Sequence, residues 1–161
     1  MKMEYGSVIK SPLGEITILA TDSAVNEITF GQKDSSKLVE NEISQLAAKQ
    51  LTQYFEGTLQ HFSFPFSQSG TDFQQEIWNN LLSIPFGTTI SYAKFSAHHP
   101  LAIRAIAAAN GKNKIAIVVP CHRVIGSDGK LVGYAGELWR KKWLLQHEIE
   151  VNKQGQTTLK F

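Results

Sequence analysis

The chain has 161 residues, of which 42% are hydrophobic, 19% are charged and 10% are aromatic. This composition is typical of a folded globular protein of about one domain, and it excludes a disordered chain, a collagen and a coiled coil. The sequence shows no apolar run of the roughly eighteen residues that a membrane span needs and no signal-peptide pattern, so we expect a cytoplasmic protein without membrane contact.

The charge is unevenly distributed along the chain. The net charge of the whole sequence is +2, but residues 101–142 contain eight Lys or Arg against two Asp or Glu, a net charge of +6 that leaves −4 for the remainder. A basic segment beside an acidic remainder fits a polyanionic partner such as nucleic acid. A solvated basic face is the alternative explanation.

Residues 1–70 are predicted to form a small antiparallel sheet covered by one helix. Apolar residues recur at helical spacing over 37–56, and Gly57 follows as a stop signal. Composition shifts near Gly70, where we place the boundary to a second lobe, 71–161. The β-prone runs between turn residues lie at 7–9, 15–19 and 25–30.

The second lobe is predicted to be mostly helical. Thr71 and Gln74 are spaced as a capping box, and Ser91 precedes a short helix as its N-cap. Two helices joined by a tight turn are typical of a helix-turn-helix, although helix packing also explains the small residues of the second one. The predicted elements are a helix from 71 to 82, a short helix at 92–97, a turn at 98–100 and an Ala-rich helix at 101–110.

An apolar run at 115–119 predicts a buried strand that delivers the chain to Cys121. A Gly-rich loop follows. A last helix is predicted over 137–148, and the polar tail over 151–161 is expected to be loosely held.

Cys121 is the single cysteine, which excludes an internal disulfide and a Cys-rich zinc site. A thiol becomes a nucleophile where a base or cation stabilises its thiolate, and His122 and Arg123 follow directly. Glu148 lies on the apolar side of the last predicted helix, where a carboxylate needs a partner, and His122 would complete a Cys-His-Glu relay. The alternatives are a structural, buried cysteine and a Glu148 that ends its helix in solvent.

The sequence Pro-Cys-His-Arg-Val at 120–124 resembles the active-site signature of the O6-alkylguanine-DNA alkyltransferases, also called methylated-DNA–protein-cysteine methyltransferases. The resemblance is strong over 71–148 and only general over the first seventy residues. Further blocks similar to that family occur in the family's order at 73–78, 84–87, 91–92, 102–105, 110–113, 133–136 and 142–148.

The resemblance implies an α/β protein with an RNase H-like N-terminal sheet lobe and a C-terminal lobe that contains a winged-helix-like helix-turn-helix. It also implies that an alkylated guanine, and by extension O4-alkylthymine, is flipped out of duplex DNA through the minor groove. The alkyl group would then move irreversibly to the cysteine, once per molecule. We therefore expect alkylated double-stranded DNA as partner, a monomer, no cofactor and no metal.

The resemblance also assigns roles to single residues. Those for the reaction are Cys121 as alkyl acceptor, His122 as its base through a water, Glu148 as the group that orients His122, Tyr92 as proton donor to the guanine ring, Asn113 as a brace of the active-site turn and Lys141 beside the pocket. Those for DNA binding are Arg104 as a finger that fills the stack, Ala105, Ala107 and Ala108 for close approach to the groove, Ser91 and Arg123. Those that line the base pocket are Val124, Tyr134, Ala135 and Gly136.

The sequence departs from the family pattern at several positions. Lys114 stands where proline is usual, and Glu137, Ala107 and Ala108 stand where glycine is frequent. These departures concern the shape of the pocket and the affinity for DNA, and they leave the reaction unaffected.

Three other functions compete with this one. An alkyltransferase-like protein flips damaged guanine without accepting the group, but such proteins lack the cysteine that this chain has at Cys121. A Cys-His-Glu hydrolase would turn over, and it leaves the helix-turn-helix and Arg104 unexplained. A plain helix-turn-helix module would keep its free thiol after meeting alkylated DNA.

Overall fold

The computed structural model describes residues 4–31, 38–129, 131, 134 and 136–158. The predicted α/β class is confirmed, since the described chain contains a small antiparallel sheet and a larger helical part. The chain forms two compact units, Met1–Ser69 with Lys114–Val118 and Gly70–Asn113 with Val119–Phe161. That 1–70 and 71–161 are separate domains, with a boundary at Gly70, stays a prediction.

The first unit contains an antiparallel sheet of three strands in the order β1-β2-β3. Ile16 of the central strand lies opposite Ile9 on one neighbour and Phe30 on the other, so the predicted β-prone runs meet as apolar cross-strand pairs. The strands are β1 (Tyr5–Ser11), β2 (Gly14–Ala20) and β3 (Val25–Phe30).

Helix α1 (Glu42–Glu56) packs against this sheet and buries Ala47, Leu51 and Tyr54. It begins later than the predicted start at residue 37, which lies outside the described residues. The reason is a capping box in which Asn41 Oδ1 accepts from the Ser44 N–H at 2.8 Å and Ser44 Oγ accepts from the Asn41 N–H at 3.0 Å. The predicted stop at the glycine after the helix is confirmed.

The strand predicted over 115–119 is wrong. Only Ile115 makes a bridge, to Ile28 of β3, and turns follow it. Ile117 has a φ of 72°, in the left-handed region, which turns the chain out of the extended course that a strand requires. Ile115 and Ile117 are both buried, so the apolar run reflects burial and not strand structure.

The second unit is built around helices. Ile77, Ile106 and Ala109 form a buried cluster, and Trp78 Nε1 donates a hydrogen bond to the Ala109 carbonyl at 2.9 Å. The helices are α2 (Asp72–Leu81), α3 (Tyr92–Phe95), α4 (Ile103–Gly111) and α5 (Leu138–Thr158), with 3-10 turns at Pro100–Ala102 and Cys121–Arg123.

Two caps in this unit confirm their predictions. Thr71 and Gln74 form the capping box of α2, and Ser91 Oγ accepts from the Lys94 N–H at 3.2 Å at the start of α3. The short α3, the turn and α4 then follow as the predicted helix-turn-helix, with the 3-10 turn in place of the first helical turn predicted at 101.

Helix α5 continues beyond the predicted end at residue 148 and runs to Thr158, so the expectation of a loose tail from 151 is wrong up to that residue. The segment after Glu148 contains no proline, and Asn152 Nδ2 donates to the Phe86 carbonyl at 3.1 Å, a tertiary contact that holds the extension. Within the described chain, no helix has the length and apolarity to cross a membrane.

Two very short strands, β4 (Ile90–Ser91) and β5 (Val124–Ile125), pair in parallel, and the sequence analysis did not predict them. They place the start of α3 beside the residues that follow the Cys121–Arg123 turn.

Candidate active site

Cys121 opens a 3-10 turn and is 7% exposed. Asn113 Nδ2 lies 3.4 Å from its Sγ and donates to the Val119 carbonyl at 2.9 Å, so this amide braces the turn and contacts the thiol. Burial raises the pKa of the Cys121 thiol, and the Asn113 contact and the positive charge of Lys141 oppose that rise without cancelling it. The thiol therefore keeps its proton at neutral pH and needs a base to react.

His122 and Glu148 form the buried pair that the sequence suggested, with Nε2 2.7 Å from Oε2. An ionised carboxylate only accepts hydrogen bonds, so Nε2 carries the proton. Burial lowers the pKa of His122, and the positive charges of Arg123 and Lys141 add to the effect, although Glu148 opposes it. The imidazole is therefore neutral and its Nδ1 is a bare acceptor, with which no group of the described residues forms a hydrogen bond.

Arg123 is buried within the protein, whereas we expected it on the surface in contact with DNA. Its Nε donates to Glu148 Oε1 at 2.8 Å, Nη2 to Oε2 at 3.1 Å and Nη1 to the Ile84 carbonyl at 2.7 Å. The residue is 7% exposed, so the guanidinium faces the protein interior and is not presented to a phosphate. The assignment of Arg123 to DNA binding is therefore corrected, because this side chain secures Glu148.

The ionised state of Glu148 depends on these partners. Burial alone would raise the pKa of its carboxyl, but the attraction and hydrogen bond of His122 and the contacts with Arg123 outweigh burial and hold the pKa well below its usual range. The main-chain N–H of Gly87 also donates to Glu148 Oε1, at 3.1 Å.

Gly87 is a site residue that the sequence analysis missed. Its φ is 78°, a conformation that favours glycine, and a Cβ at this position would displace the Asn152 amide. The signal was present in the block at 84–87, which resembles the family, but we assigned no contact to Gly87.

Tyr92 is half-buried at the start of α3, and Asn110 Nδ2 donates to its Oη at 2.7 Å. Burial raises the pKa of Tyr92, the hydrogen bond from Asn110 opposes the rise, and negative charge on Cys121 adds to it. Tyr92 is therefore protonated at neutral pH and has a proton to give. The sequence placed Asn110 at the end of the predicted Ala-rich helix and in the family block at 110–113, without a role.

Lys141 is fully buried, and its Nζ donates to the Val124 carbonyl at 2.7 Å. Burial lowers its pKa to about 8, against the opposing charge of Cys121. Lys141 and Val124 are therefore in direct contact, and their place beside the base pocket stays a prediction.

The rest of the predicted pocket is described only in part. Burial raises the pKa of Tyr134 well above its usual value, and the carbonyl of the buried Gly136 accepts from Arg140 Nη1 at 3.0 Å. Ala135, together with Gly133 of the same block, lies outside the described residues.

Helix α4 presents one exposed face. Arg104 is exposed together with the three predicted groove-facing alanines, Ala105, Ala107 and Ala108, whereas Ile106 turns inward to the core. Ser91, also expected to contact DNA, is half-buried and caps α3. Across the residues that the structure describes, no three His, Cys, Asp or Glu side chains group as metal ligands.

Two family models match the sequence. The ribonuclease-like domain of 6-O-methylguanine DNA methyltransferase matches residues 5–68, and the DNA-binding domain of the same family matches residues 72–150. The chain belongs to the 6-O-methylguanine DNA methyltransferase family. The resemblance stated from the sequence is thereby confirmed, and the first seventy residues, where it was weakest, are included.

Individual relatives agree with this assignment. The chain is 41% identical over 152 residues to the methylated-DNA–protein-cysteine methyltransferase of Methanosarcina barkeri, covering 89% of this chain and 96% of the relative. The Mycobacterium tuberculosis O6-methylguanine methyltransferase crystal structure has a TM-score of 0.81 at 39% identity, covering 92% of this chain and 94% of that one. The structure of Mycobacterium tuberculosis OGT in complex with DNA has a TM-score of 0.82 at 40% identity, with coverages of 91% and 94%.

Proposed function

We propose that this protein repairs DNA by moving the methyl group of O6-methylguanine in a duplex onto Sγ of its own Cys121. The observation that carries the proposal is the buried arrangement of a protonated thiol followed by a neutral His122, whose orientation is fixed by an ionised Glu148. Membership of the methyltransferase family and the likeness to a relative solved with DNA support the same activity.

The proposed step is a displacement at the methyl carbon. His122 Nδ1 takes the thiol proton through a water, and the thiolate forms an S–C bond as the C–O6 bond breaks, leaving the electron pair on the guanine. Tyr92 gives a proton to the base as that charge develops. The products are a thioether on Cys121 and unmodified guanine, and because a thioether is stable, each molecule reacts once.

Access to the methyl group requires the base to leave the stack, because the pocket cannot reach it within the duplex. The exposed face of α4 supports this step. Its alanines allow the helix backbone to approach the floor of the minor groove, and Arg104 can fill the space that the flipped nucleotide leaves. We propose that the protein acts as a monomer on duplex DNA and accepts O4-alkylthymine by the same displacement.

Intact-protein mass spectrometry tests the transfer directly. The protein is incubated with a duplex that carries one O6-methylguanine, and a gain of about 14 Da, the replacement of H by CH₃ on the nucleophile, is expected. The Cys121→Ser variant and an unmodified duplex are the controls, and neither should give the gain.

Other outcomes identify the competing functions. An unchanged mass with the duplex still bound would overturn the transfer and favour a protein that only binds damaged DNA. Release of more than one product per protein molecule would overturn single turnover and favour a hydrolase.

A further inference from the structure

We propose that Asn110 is a positioning residue that directs the hydroxyl proton of Tyr92 toward the departing base. The inference rests on the proposed function and adds a residue that neither the sequence signature nor the reaction scheme assigns. It is based on one short hydrogen bond, on burial and on an unsatisfied amide oxygen.

The hydrogen bond between Asn110 and Tyr92 runs in a defined direction. Asn110 Nδ2 lies 2.7 Å from Tyr92 Oη, and an amide nitrogen only donates, so Oη accepts and the Tyr92 O–H must point elsewhere. An ionised aspartate or the amide oxygen at the same place would accept the O–H and withdraw it from a substrate. The contact therefore leaves the phenol with one proton and an accepted bond, as a proton donor requires.

The environment of Asn110 makes this side chain unfavourable for the stability of the fold. The residue is 6% exposed, and within the described part of the chain its Oδ1 finds no hydrogen-bond partner. An unsatisfied buried polar atom destabilises a fold, and an apolar side chain of similar size would remove that penalty.

The bond strengthens as the reaction proceeds. When Tyr92 gives up its proton, Oη gains negative charge, and the Nδ2–H donor then makes a charge-assisted hydrogen bond. Burial and the charge of the thiolate at Cys121 both disfavour a phenolate at Tyr92, so Asn110 is the group that opposes them. The proton balance closes because the proton taken from the thiol through His122 returns to the phenolate through solvent.

A double-mutant cycle measures the coupling. Single-turnover rate constants for methyl transfer are determined for the wild type, Asn110→Ala, Tyr92→Phe and the double variant. We expect Asn110→Ala to react about tenfold more slowly and to cause no further loss in the Tyr92→Phe background, since general acid catalysis as a whole contributes roughly 10²–10⁴-fold. Asn79→Ala, on the exposed side of α2, is the matched control and should react like the wild type.

The near-isosteric Asn110→Asp variant guards against a loss caused by a cavity. An ionised Asp accepts the Tyr92 O–H, whereas a protonated one donates to Oη as the amide does. The ratio of the variant's rate to the wild-type rate should therefore rise as the pH falls. A purely structural role would leave this ratio independent of pH.

A spectroscopic measurement tests the same bond without the reaction. In protein labelled with ¹³C at tyrosine Cζ, the Tyr92 signal, assigned with Tyr92→Phe among the four tyrosines, should titrate at higher pH in Asn110→Ala. An unchanged titration midpoint, or equal rate losses in both Tyr92 backgrounds, would overturn the inference while methyl transfer by the wild type keeps the proposed function. A wild type that transfers no methyl group would overturn both.

Discussion

Glu148 accepts hydrogen bonds from His122, from two nitrogens of Arg123 and from the Gly87 main chain. A buried carboxylate costs several kcal/mol unless its charge is matched and its lone pairs are satisfied. Arg123 supplies the matching permanent charge, which allows His122 to stay neutral and to act as a base. The resemblance implied a DNA contact for Arg123, and the sequence showed the charge of this residue but not its burial.

Replacing Arg123 and Arg104 one at a time distinguishes an arginine that stabilises the protein interior from one that binds DNA. We expect Arg123→Ala to lower the free energy of unfolding by roughly 3–5 kcal/mol, because it leaves Glu148 buried and partly unpaired. Arg104→Ala, the same change on an exposed residue, should alter that free energy by no more than about 0.5 kcal/mol while weakening DNA binding. Urea unfolding and DNA titration measure the two effects. Full stability of Arg123→Ala together with lost DNA affinity would restore the original assignment.

At the level of elements, the sequence predicted what local chemistry determines. The capping residues at 71–74 and 91 predicted the starts of α2 and α3, because a capping side chain bonds to a main-chain N–H within three residues of itself. The strand at 115–119 failed because burial and extended conformation give the same apolar run, and a positive φ at Ile117 leaves no mark on composition. The pairing of β4 with β5 could not be predicted, because two residues are too few to show the alternating pattern of a strand.

Glu137, the residue directly before α5, provides a test of backbone strain. Its φ is 75°, and its carboxylate accepts a hydrogen bond from Trp139 Nε1 at 2.9 Å. The family resemblance implies that glycine is frequent at this position. We expect Glu137→Gly to be about 1 kcal/mol more stable than Glu137→Ala, since both lose the carboxylate but only alanine keeps the Cβ that is strained at positive φ. Thermal unfolding of the two variants gives the difference, and equal stabilities would show that the position is unstrained.

At the level of the whole molecule, the candidate site is gathered from distant parts of the second unit. Cys121, His122 and Glu148 could be assigned from the sequence because the family signature contains them. Asn110 and Gly87 could not, since their contacts join residues 18 and 61 positions apart and depend on how α4 and α5 pack. Sequence patterns thus predicted the reacting groups and two residues that hold them, Glu148 and Asn113, but not Asn110 or Gly87.

The response of the fold to acid reports on Glu148. Its pKa is lowered in the folded protein, so its stabilising contribution is complete above the unfolded value of 4.5 and is lost as the pH falls through the folded pKa. The difference in unfolding free energy between the wild type and Glu148→Gln should therefore be constant near neutrality and shrink below about pH 4.5. Denaturant titrations from pH 7 to pH 3 measure it. The exposed Glu150→Gln is the control, and a Glu148→Gln difference that stays constant throughout would contradict the expectation.

The parallel pairing of β4 with β5 sets a limit on changes in chain length. Ile90 pairs with Val124 and Ser91 with Ile125, so Tyr92 and Cys121 stand one and three residues from the same two-rung ladder. Inserting a single residue between either of them and its strand would change the position of the proton donor relative to the acceptor sulfur. Relatives that retain the chemistry should therefore keep these two short spacings unchanged.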